Sequence, residues 1–150
     1  MSILSNKDWA GAQIDKRVVE RCTKVCSLGD VRSWAPTDGP GKGPAEVVLV
    51  NLILDETART TDGDALNPGF PVVGRINVWP DRPAEAQATL KELAVAALGM
   101  DRKAKQEEVD KAFSDWASLK GRKLSVTFDV RKKNGEVYQE IARYDRLPVA

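Results

Sequence analysis

Five segments of the chain have the period-two pattern or the run of β-branched and apolar residues that is typical of β-strands. The segments that we predict as strands are residues 17–28, 45–57, 70–79, 123–131 and 136–144. The second segment is apolar on both faces, which is typical of a strand covered from two sides. An Asn-Gly pair at positions 134 and 135 separates the last two segments and predicts a tight hairpin turn.

Between the third and fourth segments the apolar period changes from two residues to about 3.6, which predicts helices. The first helix is expected to begin near Asp81, with Pro83 in its first turn, and to end before Gly99. A second apolar stripe predicts another helix over residues 105–119, with its aromatic side chains in the core.

The predicted order is therefore three strands, a helical insert and two strands, in a mainly β chain with some α content. Five antiparallel strands with a helix between strands 3 and 4 have the order of an OB-like Greek-key barrel. A generic β-sandwich or α+β domain is the alternative, because element order does not fix strand pairing. Residues 1–16 show no clear period and are interpreted as an N-terminal lead-in, followed by a single OB-like domain over residues 17–150.

The composition argues against several kinds of chemistry. The 150 residues include no histidine, which excludes Ser-His-Asp and Cys-His catalysis and every His-ligated metal site. The two cysteines, Cys22 and Cys26, are too few for a Cys-only metal site, and on one strand they lie about 13 Å apart, too far for a disulfide. Reduced thiols and the lack of an export or membrane-spanning segment predict a cytoplasmic protein. We expect no catalytic residue, no metal, no cofactor and no membrane association.

Positive charge is concentrated locally, although the chain as a whole is balanced, with 23 Lys and Arg against 22 Asp and Glu. Residues 120–133 contain one acidic and six basic residues. The basic ones are Lys120, Arg122, Lys123, Arg131, Lys132 and Lys133. Lysine and arginine bind nucleic-acid phosphates irrespective of sequence by releasing counterions. The alternative interpretation is a solvated hairpin with lysines at its turn.

The third predicted strand carries a second candidate binding surface. Arg75, Asn77 and Trp79 alternate along it and share one face. An exposed tryptophan on such a face can stack on a base of any identity, and the arginine can pair with a phosphate or stack through its guanidinium plane. The alternative is that Trp79 packs against the first helix as part of the core.

A third set of candidates surrounds the Gly- and Pro-rich segment 34–44. Arg32, Trp34 and Lys42 place one aromatic and two basic side chains at this predicted loop, which could close over a nucleic-acid strand. Trp34 could instead anchor the loop to the body of the protein. Tyr144, on the last strand, is a further candidate for base stacking.

The order of these segments resembles that of small single-stranded-DNA-binding proteins of bacteriophages, which have an OB fold. The similarity spans about residues 17–146 and is most specific in the hairpin LKGRKLSVTFDVRKKNGEVYQEIARY. It implies a non-catalytic protein that coats or protects single-stranded DNA during phage replication or recombination, in the host cytoplasm. Single-stranded DNA is the implied ligand, and a homodimer and replication or recombination proteins are compatible partners.

A function of another class remains open from the sequence. The strand segment 47–54 is apolar on both faces, so one face could meet a partner protein rather than the core of its own chain. This favours a protein-interaction module, such as a virion component or a protein that binds a host factor, without nucleic-acid binding.

Overall fold

The computed structural model of the chain describes residues 17–35 and 43–148. These residues form, in order, β1 (Cys22–Trp34), β2 (Glu46–Leu54), β3 (Ala58–Arg59), β4 (Ala65–Leu66), β5 (Pro71–Val78), α1 (Pro83–Ala97), α2 (Gln106–Ala112), a 3₁₀ helix (Ala117–Leu119), β6 (Lys123–Lys133) and β7 (Glu136–Asp145). Five strands make one antiparallel sheet in the order β5-β2-β1-β6-β7, and β3 and β4 pair separately. The mainly β architecture and the helical insert are thereby confirmed, whereas the lead-in predicted for residues 1–16 lies outside the described residues.

The first strand differs most from its predicted bounds, since it begins at Cys22 and continues to Trp34. The sequence predicted that the strand ends near Leu28, but the chain forms a bulge there and pairing with β2 resumes at Val31. The bulge brings Gly29 so close to β2 that an added Cβ would lie 3.1 Å from the Cβ of Asn51. Glycine at this position therefore lets the strand continue.

The ends of the other elements lie within a few residues of the sequence prediction. Asn134 and Gly135 both have positive φ angles, of 53° and 77°, as the predicted two-residue hairpin turn requires. The N-cap of α1 is Arg82 rather than Asp81, and no side-chain hydrogen bond caps it.

The second helix is shorter than predicted, because α2 ends at Ala112 and Phe113 is extended. The Asp115 carboxylate accepts a hydrogen bond from the Ser118 backbone at 2.8 Å and starts a separate turn. The rings of Phe113 and Trp116 meet edge to face, with 5.1 Å between their centroids, and both pack partly buried against the core, as predicted.

One face of the five-stranded sheet encloses the core together with α1. The largest fully buried side chains are Phe128, Leu28, Leu52, Leu54, Leu93, Leu119 and Leu124. Within the described residues, no helix is both long and apolar enough to cross a membrane.

The edge strands β5 and β7 approach each other without forming a hydrogen-bonded ladder. At the closest point, a Cβ added to Gly74 of β5 would lie 2.9 Å from the Tyr144 hydroxyl and 3.1 Å from Ile141. We call this line of approach the seam. The sheet is open along it, so the structure shows the predicted five-stranded antiparallel sheet but does not close it into a barrel.

Helix α1 and the segment that follows it cover part of the β7 edge through side chains that replace a neighbouring strand. The Glu92 carboxylate accepts a hydrogen bond from the Tyr144 backbone N–H at 2.7 Å. Arg102 donates to the Tyr144 carbonyl at 3.1 Å and to the Asp145 carboxylate at 3.1 Å. Arg143 pairs with the same carboxylate at 2.6 Å. These polar contacts fix the end of β7 beneath α1.

We expect part of the stability of this junction to be lost in acid. Partial burial raises the pKa of Asp145, but hydrogen bonds from Arg143 and Arg102 outweigh it, so the net pKa is lowered. The pKa of Asp145 is lower in the folded protein than in the unfolded chain. At pH values between these two, the unfolded chain binds more protons than the folded protein. The stabilisation of the fold by Asp145 is therefore present above about pH 4 and is lost below it. The difference in unfolding free energy between the wild type and Asp145→Asn, measured in urea, should shrink as the pH falls from 6 to 3. A difference that stays constant over this range would contradict the assignment.

Candidate nucleic-acid interface

The strand register brings four of the predicted site residues onto one face of the sheet. Directly opposed residues of β1, β2 and β5 form two neighbouring rows, which are Arg32–Leu49–Arg75 and Trp34–Val47–Asn77. Opposed residues project to the same side of a sheet, so the four predicted residues share a side. The intervening residues of β2, Val48 and Val50, point to the other side and belong to the core.

A groove of about 540 Å³ continues this face across the seam to the β6–β7 hairpin. Arg75 and Asn77 line one side of the groove, and Arg131 and Tyr138 line the other. Arg131 and Tyr138 are themselves directly opposed in the hairpin ladder, so they project together. We call Arg32, Trp34, Arg75, Asn77, Arg131 and Tyr138 the aromatic–basic face.

Two aromatic rings on this face are open to solvent. Trp34 is 46% exposed and Tyr138 is 39% exposed, although large aromatic residues usually bury most of their surface. The Tyr138 hydroxyl donates a hydrogen bond to Glu136 at 2.7 Å, which holds the ring at the mouth of the groove. Both rings could stack on unpaired bases.

The electrostatics of the face are positive. Among the described residues, Arg32 and Arg75 have no acidic partner within ion-pair distance, and Arg131 is paired with Glu140 at 3.6 Å. An exposed ion pair such as this one is weak, at about 0–1 kcal/mol, and can exchange for a phosphate. The face therefore offers positive charge to an anionic backbone.

The other predicted basic residues do not all join this face. Arg122 and Lys123 lie at the opposite end of β6 from Arg131, about 26–30 Å away at ~3.3 Å per residue. There Lys123 pairs with Asp55 at 3.4 Å and Lys120 pairs with Asp30 at 3.1 Å. The sequence cluster is thus two separate groups, and acidic neighbours offset the charge of the group at the start of β6.

The basic residues near the hairpin turn project to alternate sides of β6, so they do not all lie on the aromatic–basic face. Lys133 projects to the same side as Arg131, whereas Lys132 projects to the other side and lines a separate hollow with Arg21 and Thr61. Lys42, predicted to lie in the loop after β1, is outside the described residues.

The structure corrects the prediction that Tyr144 stacks on bases. Its side chain is only 3% exposed and belongs to the hydrophobic core. Burial also raises the pKa of its hydroxyl, so the group stays neutral. Tyr138, six residues earlier on the same strand, is the tyrosine that faces solvent, and the sequence analysis had not selected it.

Trp79 is neither fully exposed for base stacking nor fully buried in the core, which were the two interpretations given by the sequence. It is half-buried just beyond the end of β5, and the Arg82 guanidinium lies 5.7 Å from the centroid of its ring. One ring face is therefore covered by a cation. Trp79 is less suited to stacking on a base than Trp34, whose side chain is more exposed.

The described residues show little that is typical of a reactive site. Burial raises the pKa of the Cys26 thiol to about 12, so this thiol is protonated at neutral pH and is a poor nucleophile. No group of three or more Cys, Asp or Glu side chains in the described ranges is arranged to hold a metal ion.

Comparison with known proteins adds no family assignment: neither a family model nor a curated protein sequence matches this chain.

Proposed function

We propose that the protein is a non-catalytic single-stranded-DNA-binding protein with an open, OB-like barrel. The observation that carries the proposal is the aromatic–basic face. Arg75, Arg131 and the exposed Tyr138 line its groove, and Arg32 and the exposed Trp34 lie on the same side of the sheet as Arg75. Such a protein would coat or protect single strands in replication or recombination, as in the bacteriophage proteins that the sequence resembles.

The strand order supports the OB-like assignment. An OB fold is a five-stranded, partly open Greek-key barrel that binds oligonucleotides on strands 2 and 3 and on the loops that follow strands 1 and 4. Here β2 and β5 correspond to those strands, and the β6–β7 turn corresponds to the second loop. The aromatic–basic face lies on and between these elements, which is the part of the fold where an oligonucleotide would be expected.

The side chains of the face suit a single strand better than a duplex. Bases of a single strand are free to stack on Trp34 and Tyr138, and every base has a ring face for this purpose. Arg32, Arg75 and Arg131 can meanwhile contact phosphates and release counterions. Binding of this kind would depend strongly on salt and tolerate most sequences.

Titration with oligo-dT tests the proposal. Binding should quench tryptophan fluorescence, and contact with about three phosphates should give a log–log salt slope near −2. A fourfold increase in salt would then weaken binding roughly 20-fold. Absence of binding at low salt by a folded sample would refute the proposal.

A matched pair of double variants locates the phosphate contacts. Arg32→Ala with Arg75→Ala should reduce the magnitude of the salt slope by about 1.4, since each lost contact contributes about 0.7. Lys120→Ala with Lys123→Ala removes the same charge from the ion-paired end of β6 and should leave the slope unchanged. An equal reduction of the salt slope in both double variants would mean that the phosphate contacts are not confined to the aromatic–basic face.

One observation favours the protein-interaction module as a second candidate. Ile53 is 37% exposed and Val73 is 48% exposed on the outer side of β2 and β5, so the apolar second face of β2 is only partly covered. Exposed apolar patches often mark protein interfaces. A stable assembly in light scattering that DNA does not change, together with no DNA binding, would favour this function. A homodimer that binds DNA would instead be compatible with the first.

A further inference from the structure

Arg75 and Asn77 form one hydrogen-bonded unit at the edge of the groove. The Arg75 Nε–H donates to the Asn77 side-chain oxygen, Oδ1, at 2.9 Å. Because a guanidinium can only donate, the asparagine atom that faces it must be the oxygen. This bond fixes the orientation of the amide, and the Asn77 NH₂ group points away from Arg75.

The unit consequently presents three nitrogen donors to a ligand and one remaining lone pair on the Asn77 oxygen. Among the described residues, the two terminal nitrogens of Arg75 and the amide nitrogen of Asn77 have no hydrogen-bond partner. Two other acceptors that line the groove already have partners. Glu140 pairs with Arg131 at 3.6 Å, and the Gln139 oxygen accepts from the Val19 backbone at 2.6 Å.

Bases differ in how well they match a surface of donors. The exposed edge of guanine carries two adjacent acceptors, O6 and N7, which an arginine fork can bond together. The same edge of adenine has an N6 amino donor in place of O6. Asparagine reads adenine by accepting from N6 and donating to N7, but here one lone pair of the asparagine oxygen already accepts from Arg75, which fixes the amide beside the arginine fork.

Building on the DNA-binding function proposed above, we infer that Arg75, oriented by Asn77, makes the groove select guanine over adenine at one base position. Where a guanine lies in the groove beside Tyr138, the guanidinium bonds its O6 and N7 in place of the phosphate contact proposed for oligo-dT. Guanine and adenine are purines of similar size and stack similarly, so the preference arises from the hydrogen bonds.

The preference is measured with fluorescein-labelled thymidine strands of about a dozen nucleotides, which contain one central guanine, adenine, hypoxanthine or 7-deazaguanine. The guanine strand should bind about fivefold more tightly than the adenine strand, the lower end of the discrimination given by a bidentate contact. Hypoxanthine retains O6 and N7 and should behave as guanine. 7-Deazaguanine lacks the N7 acceptor and should bind more weakly than guanine.

Two variants assign the preference to a residue. Arg75→Lys retains the charge but loses the planar fork, so the ratio of guanine to adenine affinity should fall to about one. Because the ratio compares two strands bound by the same variant, a weaker phosphate contact affects both strands and does not change it. Arg131→Lys makes the same change on the opposite side of the groove and should preserve the ratio. Circular dichroism checks that both variants are folded.

Equal affinity of the wild type for the guanine and adenine strands would overturn the inference and leave the DNA-binding function standing. A ratio that survives Arg75→Lys would overturn the assignment to Arg75. If no strand binds, both the function and the preference are refuted.

Discussion

Replacing both exposed rings, as Trp34→Ala with Tyr138→Ala, should weaken oligo-dT binding by about 30-fold or more. Truncation of a stacking ring costs about 1–3 kcal/mol per base. The two rings lie on β1 and β7, which are not neighbours in the sheet, so their contributions should be close to additive. Anisotropy of a labelled strand is the suitable measurement, because removing Trp34 also removes an intrinsic fluorophore.

Trp116→Phe is the control for the double ring variant. Trp116 packs with Phe113 against the core, away from the aromatic–basic face, so this change should alter the protein fluorescence and leave DNA affinity intact. The free energy of unfolding of the double variant should lie within about 0.5 kcal/mol of the wild-type value, since both rings are at the surface. Wild-type affinity in the double variant would show that the rings do not stack on the bound strand.

Gly74→Ala should lower the free energy of unfolding by about 1–3 kcal/mol, which is the usual cost of overpacking a well-packed site. The added Cβ would lie 2.9 Å from the Tyr144 hydroxyl and 3.1 Å from Ile141, so β5 and β7 would have to move apart. Urea denaturation gives the size of the effect. The groove borders the same seam, so we also expect weaker DNA binding.

Gly43→Ala is the matched control, because an added Cβ at that position meets no atom within 4 Å. It should be neutral or slightly stabilising, since alanine restricts the unfolded chain more than glycine does. In a Tyr144→Phe background the nearest clashing atom is absent, so Gly74→Ala should lower the free energy of unfolding by a smaller amount. An equal cost in both backgrounds would mean that the Tyr144 hydroxyl does not limit the approach of the strands.

Features encoded by neighbouring residues could be predicted from the sequence. The Asn134-Gly135 turn needs two residues with positive φ, and this residue pair meets that requirement without help from the rest of the protein. The change from a two-residue to a 3.6-residue period similarly located the helical insert. Alternation along β5 placed Arg75 and Asn77 on one face, and the observed register agrees.

Features that depend on pairing between distant segments could not be predicted in this way. By simple alternation, Tyr138 and Tyr144 would share a face of β7, but a bulge at Ala142 shifts the register and turns Tyr144 into the core. The bulge at Gly29 similarly concealed the second half of β1, which carries Arg32 and Trp34. A bulge is a response to the partner strand, so a single segment does not reveal it.

By itself, then, the sequence determined the five long strands, the helical insert and their order, because these follow from local periodicity and turn chemistry. The tertiary structure decided which charges act together. It offset Lys120 and Lys123 with the carboxylates of Asp30 and Asp55, and it brought Arg75 next to a hairpin more than 50 positions later in the chain. The curvature of the sheet brings β5 and β7 together, and curvature is a property of five paired strands rather than of any one of them.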